Sequence, residues 1–154
     1  MVVYLAAPLF SQVERRWNRE LARLLAERVA GLEVILPQDF RVGGRYNDRS
    51  RLGELFQKCI SALKSADVVV AVLDGADTDS GVAFEMGFAY ASGIPVVGVR
   101  TDFRQSQERG VNIMCYRPCA AYVCQMSFNE SIEDLAEEVA RKVLAVARSR
   151  AARK

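Results

Sequence analysis

The sequence predicts an α/β fold built on a parallel sheet, and two observations lead to this prediction. Short apolar segments of strand length alternate with longer segments whose apolar residues recur at helical spacing. Residues 66–73, ADVVVAVL, form a continuous apolar run, as is typical of a strand that helices cover on both faces. The 154 residues suit one domain, residues 1–154, whose end at about 148–154 we expect to fray.

Two strands and one long helix are predicted in the first part of the chain. Residues 2–6, VVYLA, form strand one. Ser11 can cap a helix, because Glu14 stands three residues later in the position of a capping box. Gly31 ends this helix, and the apolar residues 32–36 form strand two.

The rest of the chain continues the alternation. Residues 37–50 are polar and contain two glycines, which predicts a long loop of the kind that is often functional. The further elements that we predict are helices at about 52–64 and 80–92, strands at 66–73, 94–99 and 121–126, and a final helix capped by Asn129 or Ser131. A charged loop that includes Arg100 follows the fourth strand.

Five parallel strands with right-handed crossovers suit a doubly wound, flavodoxin-like (Rossmann-like) sheet of order 2-1-3-4-5. Ligands of such sheets bind at the carboxyl ends of the strands, at the point where the strand order reverses. Here that point lies between strands one and three. The loops at residues 5–11 and 74–80 meet there, and the second loop leads directly to Glu85.

Composition and charge exclude several classes of function. The net charge is +2 and the arginines form no basic block, so we expect no nucleic-acid partner. The chain has no histidine, which excludes Ser-His and Cys-His catalysis and most catalytic zinc sites. No signal peptide opens the sequence and no apolar run reaches the roughly 20 residues that span a membrane, so we expect a cytoplasmic protein without membrane contact. Neither a glycine-rich dinucleotide motif nor a P-loop occurs, and we expect no cofactor.

The four cysteines are predicted to be structural thiols rather than metal ligands. Cys115, Cys119 and Cys124 are close in sequence but lack paired C-x-x-C spacing. A metal site would need a fourth ligand, either Cys59 or a carboxylate, and we therefore predict buried thiols and no metal. A disulfide among them would fit a hyperthermophilic source, since other cytosolic proteins keep their cysteines reduced.

One carboxylate, Glu85, stands in the otherwise apolar segment DSGVAFEMGFAY at 79–90. It is the only charged residue between Ser80 and Val99. Burying a charge is costly unless it is paired or used in chemistry, and perturbed carboxylates cluster at functional sites. The alternative is a helical glutamate that simply reaches solvent. A carboxylate kept ionised beside a cleft would be a competent nucleophile toward a sugar carbon.

Four acids and no lysine or arginine lie between Val68 and Val99. Acids grouped at the entrance of a binding cleft without cations repel anions. They suit a neutral or cationic substrate, or the positive charge that develops in an oxocarbenium ion. Asp74 and Asp77 could equally be solvated turn residues, and we accept that interpretation for Asp77. Asp79 is as well placed to cap a helix as to contact a ligand.

At these residues the chain resembles the nucleoside 2-deoxyribosyltransferases. The resemblance covers nearly the whole chain, and its most specific part is DSGVAFEMGFAYASGIPV at 79–96. VYLAAPLF at 3–10, ADVVVAVLDG at 66–75 and VNIM at 111–114 add to it. It implies an enzyme that exchanges the bases of deoxynucleosides, with a nucleoside and a free nucleobase as its small-molecule partners.

The resemblance also implies roles for particular residues. Glu85 would be the nucleophile that attacks the anomeric carbon and expels the base, forming a covalent deoxyribosyl–enzyme that a second base attacks with net retention. Asp79 would bind the deoxyribose hydroxyls, and Tyr4 would orient the nucleophile. Phe10 would lie against the base. Asn112 would reach the sugar in a neighbouring subunit's site, which makes a homo-oligomer necessary.

Further candidate contacts to the substrate come from the two loops and the residues that follow them, and are Ala6, Pro8, Asp74, Ser80 and Gly81. Gly81 would allow close approach of the backbone, although tight helix–sheet packing would explain it equally well. The sequence departs from the family pattern at Cys59, where the family usually has an aspartate that contacts and protonates the leaving base. A thiol is a poor acid for this task, and Asp39, Asp48 or Asp74 would have to replace it.

Three functions remain open from the sequence. The leading one is base exchange by a deoxyribosyltransferase. The second is hydrolysis of the N-glycosidic bond of nucleosides or of deoxynucleoside 5′-monophosphates. A related branch has a serine for phosphate where Asp79 stands here, although Ser80, Arg41 or Arg45 could bind an anion. The third is a non-catalytic nucleoside- or nucleotide-binding module, which Cys59 in place of the acid would explain.

Overall fold

Strands and helices alternate along the chain, as the sequence predicts. The computed structural model describes residues 1–43, 48–104 and 110–152. The strands are β1 (Val2–Ala6), β2 (Glu33–Ile35), β3 (Val68–Val72), β4 (Val96–Arg100) and β5 (Cys119–Cys124), and the helices are α1 (Gln12–Arg28), α2 (Arg49–Ser65), α3 (Ser80–Ala91), α4 (Ile113–Tyr116) and α5 (Ile132–Ala151). A 3-10 turn lies at Pro37–Asp39.

The five strands form one parallel sheet in the order β2-β1-β3-β4-β5. This is the predicted flavodoxin-like order, and the prediction is confirmed. β1 and β3 are neighbours in the sheet, with Tyr4 opposite Val69 and Ala6 opposite Ala71. Because the strands are parallel, the loops that follow them leave the sheet at the same edge. The predicted switch point between strands one and three lies at this edge.

The two faces of the sheet bury different side chains, because successive residues of a strand point to opposite sides. Val68 and Val72 of β3 lie in a core beneath α1 and α5. Tyr4 and Ala6 of β1 lie in a second core beneath α2 and α3. The period of the strand therefore directs Tyr4 toward the helix that carries Glu85.

Side-chain caps set the starts of α1, α2 and α5. Ser11 and Glu14 form the predicted capping box of α1. Ser131, one of the two predicted caps, begins α5. α2 begins at Arg49 instead of about residue 52, because the side chain of Asp48 caps it. These caps satisfy backbone N–H groups that have no partner inside the first helical turn.

The fourth and fifth strands differ from the prediction. Arg100, expected in a loop, is the last residue of β4 and is only 1% exposed. Its guanidinium donates hydrogen bonds to the carbonyls of Leu73 (2.5 Å), Gly75 (3.3 Å) and Arg104 (2.6 Å). These bonds tie the loop after β3 to the loop after β4. β5 begins at Cys119, two residues before the predicted start at 121.

The described residues also bear on the membrane and metal predictions. No helix within residues 1–43, 48–104 and 110–152 is long and apolar enough to cross a membrane. Within the same ranges, no group of three or more cysteine or acidic side chains is arranged to hold a metal ion. All four cysteines are free thiols. Cys115 is buried as predicted, whereas Cys124 is exposed, so the prediction of buried thiols was wrong for Cys124.

Candidate active site

Glu85 lies in the second turn of α3, and Asp79 fixes the start of this helix. Oδ1 of Asp79 accepts hydrogen bonds from the N–H groups of Gly81 (2.9 Å) and Val82 (3.1 Å). An aspartate in this position satisfies two of the four N–H groups that a helix leaves unpaired at its start. Since the cap determines where the helix begins, it also determines the face on which Glu85 appears.

The Glu85 carboxylate faces the phenol of Tyr4. Tyr4 is fully buried in β1, and its O–H donates a hydrogen bond of 2.5 Å to Oε1 of Glu85. Hydrogen bonds to an ionised carboxylate are roughly twice as strong as bonds between neutral groups. Cys59 of α2 is half-buried and lies within hydrogen-bonding reach of the same hydroxyl. The phenol therefore fixes the position of the carboxylate.

Burial raises the pKa of Glu85 to about 7, and the neighbouring charge of Asp79 acts in the same direction. The hydrogen bond from Tyr4 opposes this rise in the pKa. Burial and the nearby Glu85 hold the pKa of Tyr4 far above its usual value, so the phenol keeps its proton. Burial also raises the pKa of the Cys59 thiol. A carboxylate that titrates near neutral pH beside a cleft is typical of a catalytic group.

A cavity of about 370 Å³ opens beside these groups, where the loop after β1 meets α2 and α3. Its volume lies within the roughly 300–1,000 Å³ that is usual for small-molecule sites. Most of the lining is apolar and includes Leu9, Phe10, Leu55, Phe56, Ile60 and Phe84. Asp79 and Glu85 are the acids among the described lining residues. The cavity therefore combines an apolar compartment with one pair of carboxylates.

Three aromatic side chains at this cavity are exposed. Phe10 is 74% exposed, Phe56 is 50% exposed and Phe84 is 53% exposed. The ring centroids of Phe56 and Phe84 are 6.2 Å apart. Aromatic rings supply large apolar contact area, and an exposed group of them beside a cleft indicates a binding surface. A flat heterocycle in the cavity would contact these rings.

Sequence reasoning did not find the contribution of α2 to this cavity. The available signal was an apolar stripe at helical spacing, formed by Leu52, Leu55, Phe56, Cys59 and Ile60. A stripe of this kind is usually the buried face of a helix, and spacing alone does not separate core from cavity. Only the cysteine of this stripe was singled out, through the resemblance.

Most of the predicted site residues lie together in the structure, namely Tyr4, Phe10, Cys59, Asp79, Gly81 and Glu85. Ala6 is buried at the end of β1, and Ser80 is exposed as the first residue of α3. Pro8 and Asp74 line a separate recess of about 320 Å³ beside α1. Asn112 caps α4 and is not part of the described lining of the cavity in its own chain.

The three acids considered as replacements for Cys59 have other partners. Asp39 pairs with Arg19 at 3.2 Å, and Asp48 caps α2. Asp74 accepts hydrogen bonds from the N–H (2.6 Å) and the hydroxyl (2.5 Å) of Thr101. None of the three acids is among the described residues that line the cavity beside Glu85.

Many solved structures are similar to this chain, and three of them bear on its family. A conserved protein from Enterococcus faecalis V583 is 29% identical with a TM-score of 0.71, and the match covers 92% of this chain and 98% of that one. A 2-deoxyribosyltransferase from Bacillus psychrosaccharolyticus is 21% identical with a TM-score of 0.71, over 88% and 90% of the two chains. A CMP N-glycosidase from Clostridium botulinum is 18% identical with a TM-score of 0.59, over 92% and 99%. The last two likenesses establish a shared fold.

Sequence comparison identifies the family. No curated protein sequence matches this chain significantly. The model of the nucleoside 2-deoxyribosyltransferase family, however, matches residues 3–142, which include all of the sheet except Val2 and the whole of α3. The chain therefore belongs to the nucleoside 2-deoxyribosyltransferase family.

Proposed function

We propose that the protein is a nucleoside 2-deoxyribosyltransferase that exchanges the base of 2′-deoxynucleosides through a covalent deoxyribosyl–Glu85 intermediate. One observation carries this proposal: the Glu85 carboxylate, hydrogen-bonded by Tyr4 at 2.5 Å and with a pKa of about 7, borders an apolar cavity. Membership of the family supports it. An enzyme of this kind would act in cytoplasmic nucleoside salvage.

The first half-reaction moves the sugar from the base to the enzyme. An ionised oxygen of Glu85 attacks C1′ of the deoxyribose, and the bond between C1′ and the base nitrogen breaks. The electron pair of that bond leaves with the base. Tyr4 orients the carboxylate, and its own raised pKa keeps it a hydrogen-bond donor. The charges of Glu85 and Asp79 stabilise the positive charge that develops on the sugar.

The second half-reaction returns the sugar to another base. A ring nitrogen of the incoming base attacks C1′ of the glycosyl ester, loses its proton to solvent and releases the Glu85 carboxylate. Two displacements at one carbon give net retention. The helix cap uses only Oδ1 of Asp79, so Oδ2 can accept a hydrogen bond from a sugar hydroxyl. Leaving and incoming bases would occupy the same apolar compartment in turn, which makes the exchange ping-pong.

We also propose that the active enzyme is a homo-oligomer in which Asn112 of one subunit completes the site of its neighbour. The short helix α4 that Asn112 caps has exposed apolar side chains at Ile113, Met114 and Tyr116. An apolar surface of this kind is typical of a protein–protein contact. A second copy covering it would bring Asn112 toward a sugar bound beside the partner's carboxylate.

A base-exchange assay tests the proposed activity. Wild-type protein incubated with deoxyinosine and labelled adenine should form labelled deoxyadenosine and release hypoxanthine. Glu85→Gln keeps the size of the side chain but removes the nucleophilic carboxylate, and should lower the rate by roughly 10³-fold or more. Glu33→Gln makes the same change on the exposed side of β2 and should keep the wild-type rate. Equal activity in Glu85→Gln and wild type would contradict the proposal.

Hydrolysis of the N-glycosidic bond is the second candidate, and Cys59 is the observation that favours it. Without an acid or base beside the incoming heterocycle, that heterocycle is activated poorly and water can intercept the glycosyl–enzyme. A 5′-monophosphate suits the cavity less well, because no lysine or arginine is among its described lining residues. Arg41 lines a different cleft, and Arg45 lies outside the described residues. Release of hypoxanthine without formation of labelled deoxyadenosine would show that the protein is a hydrolase and not a transferase. If no substrate gives a product, the non-catalytic binding module becomes the favoured function.

A further inference from the structure

The compartment that would hold the base lacks an ordinary acid. When a neutral purine or pyrimidine leaves C1′, an electron pair remains on a ring nitrogen, and a general acid near that nitrogen accelerates departure by roughly 10²–10⁴-fold. The titratable side chains among the described lining residues are Cys59, Asp79 and Glu85. Glu85 is the nucleophile, and Asp79 caps α3 and faces the sugar. Only Cys59 remains on the α2 side of the cavity.

Neither Cys59 nor the adjacent phenol can take the place of that acid. Burial raises the pKa of the Cys59 thiol, so the thiol gives up its proton less readily than a free cysteine does. The O–H of Tyr4 already donates to Glu85, and its pKa is far above the usual value. Asp39, Asp48 and Asp74 have other partners and are not among the described residues that line the cavity. A base that needs a proton in order to leave is therefore poorly served here.

The same cavity has features that attract a positive charge. Asp79 and Glu85 border it, and the described part of its lining contains no lysine or arginine. Phe10, Phe56 and Phe84 expose their rings at its mouth. The face of an aromatic ring attracts a cation that lies within about 6 Å. A cationic heterocycle would gain both the ring and the carboxylate contacts, whereas a neutral one would gain only the apolar contacts.

From these features we infer that the preferred donor is an N-glycoside of a cationic heteroaromatic base, such as an N7-alkylated purine or a pyridinium ring whose nitrogen bears the sugar. The inference rests on the proposed function and specifies its substrate class. When Glu85 bonds to C1′, the electron pair of the breaking C1′–N bond neutralises the charge of the ring. The base departs as a neutral molecule and takes no proton from the enzyme. Cys59 is then a specificity-determining residue, because it withholds the acid that neutral bases require.

Two donors that differ by one methyl group test this inference. 7-Methyl-2′-deoxyguanosine is cationic, and 2′-deoxyguanosine is neutral. Base release from each is measured with wild-type protein and with adenine as the acceptor that frees Glu85, after subtraction of the breakdown that occurs without enzyme. The value of kcat/KM for the methylated donor should exceed that for deoxyguanosine by roughly 100-fold or more. A ratio below about tenfold would overturn the inference, because an acid that serves neutral bases would then be at work.

A pair of substitutions at Cys59 links the preference to this residue. Cys59→Asp supplies a carboxylic acid and should reduce the ratio by about tenfold or more, through faster release of guanine from deoxyguanosine. Cys59→Ser supplies no stronger acid and should keep the wild-type ratio. An unchanged ratio in a Cys59→Asp protein with a wild-type circular dichroism spectrum would overturn the role of Cys59. If that variant does not fold, the wild-type ratio decides alone.

The outcomes separate this inference from the proposed function. Equal use of both donors, lost in Glu85→Gln, would overturn the inference and leave the proposed function intact. Absence of Glu85-dependent release from either donor would overturn both. Fast release from the methylated donor alone, again lost in Glu85→Gln, would support both.

Discussion

Two side chains from different parts of the fold control the charge of Glu85. Tyr4 faces it from β1 and Asp79 from the start of α3, and Cys59 of α2 lies beside the Tyr4 hydroxyl. Burial and the charge of Asp79 raise the pKa of Glu85 to about 7, and the hydrogen bond from Tyr4 limits the rise. Glu85 is therefore largely protonated at about pH 6 and largely ionised at about pH 8. The ionised carboxylate that the proposed mechanism requires is present at neutral pH, although burial destabilises it relative to a carboxylate in water.

The pH dependence of activity should follow this titration. Only the ionised carboxylate can attack C1′, so kcat/KM should rise as the pH increases through about 7. Asp79→Asn removes the neighbouring negative charge, which lowers the pKa of Glu85 and moves the rise to lower pH. It should also reduce kcat/KM by roughly tenfold through the weaker contact with the sugar hydroxyl. Profiles of kcat/KM against pH for both proteins measure the shift.

The Asp79→Asn variant also separates the effect of the Asp79 charge on Glu85 from the role of Asp79 as the N-cap of α3. Asparagine caps a helix about as well as aspartate does, so the free energy of unfolding should change by less than about 0.5 kcal/mol. Urea unfolding of wild type and Asp79→Asn checks this. Identical midpoints in the two pH profiles would show that the charge of Asp79 does not reach Glu85.

Sequence reasoning named Glu85, Asp79 and Tyr4 because they stand in recognisable motifs. The contact between Tyr4 and Glu85 joins residues 81 positions apart, and no spacing rule brings such residues together without the strand order. Phe56 and Phe84 were missed, because an aromatic residue among the apolar residues of a helix is ordinarily part of the core. Their exposure became visible only when the sheet and both helices were in place.

Among the elements, the loops after β3 and β4 depend on each other. Arg100 on β4 donates to the carbonyls of Leu73 and Gly75, and Asp74 accepts from Thr101 in return. The segment that leads to α3 is thereby anchored on the neighbouring strand. A charged residue after an apolar run usually marks the end of a strand, which is why the sequence predicts Arg100 in a loop. Backbone carbonyls compensate its burial, and composition does not reveal them.

Substitution of Gly98, in the middle of β4, tests how closely strands β4 and β5 pack. A Cβ atom at this position would lie 2.7 Å from Sγ of Cys119 and 2.9 Å from Cδ2 of Tyr122. Gly98→Ala should therefore destabilise the protein by about 1–3 kcal/mol. Gly53→Ala is the matched control, because a Cβ on this exposed helical residue meets nothing within 4 Å. It should stabilise the protein by about 0.5–1 kcal/mol.

Urea unfolding of the two glycine variants provides the comparison. A Gly98→Ala protein as stable as Gly53→Ala would contradict the close contact between β4 and β5.

Long helices and strands that alternate regularly along the chain can be predicted from the sequence, whereas short elements cannot. The order of the sheet is predictable, because alternating strands and helices with right-handed crossovers allow few arrangements. The helix α4 has only four residues, Ile113–Tyr116, which is too short for an apolar repeat, and it was not predicted. β5 was predicted two residues too late, because the apolar segments CAAYVC and AYVCQM satisfy a strand pattern equally well.

At the scale of the whole molecule, the proposed oligomer makes one subunit depend on another. Each site would take Glu85 from its own chain and Asn112 from a neighbour. The exposed apolar side chains of α4 surround the position from which Asn112 would reach across. In a closed symmetric dimer, the two sites would lie across one shared interface.

Mixing two inactive variants tests this dependence. Asn112→Ser keeps a side chain that can cap α4 but removes the amide, and should be nearly inactive, as should Glu85→Gln. After subunit exchange in a mixture of the two, one site of each mixed dimer contains both native residues. Activity should recover to about a quarter of that of wild type. No recovery after exchange, verified by native mass spectrometry, would contradict a shared site.

The proposed covalent bond between Glu85 and the sugar is tested most directly by peptide mass spectrometry. Protein is mixed with a deoxynucleoside, quenched in acid within the first turnovers, and digested for peptide mapping. We expect a mass increase of one deoxyribosyl group on the peptide that contains Glu85, and no such increase in Glu85→Gln. Base release without a glycosyl adduct, or an adduct on another residue, would contradict it.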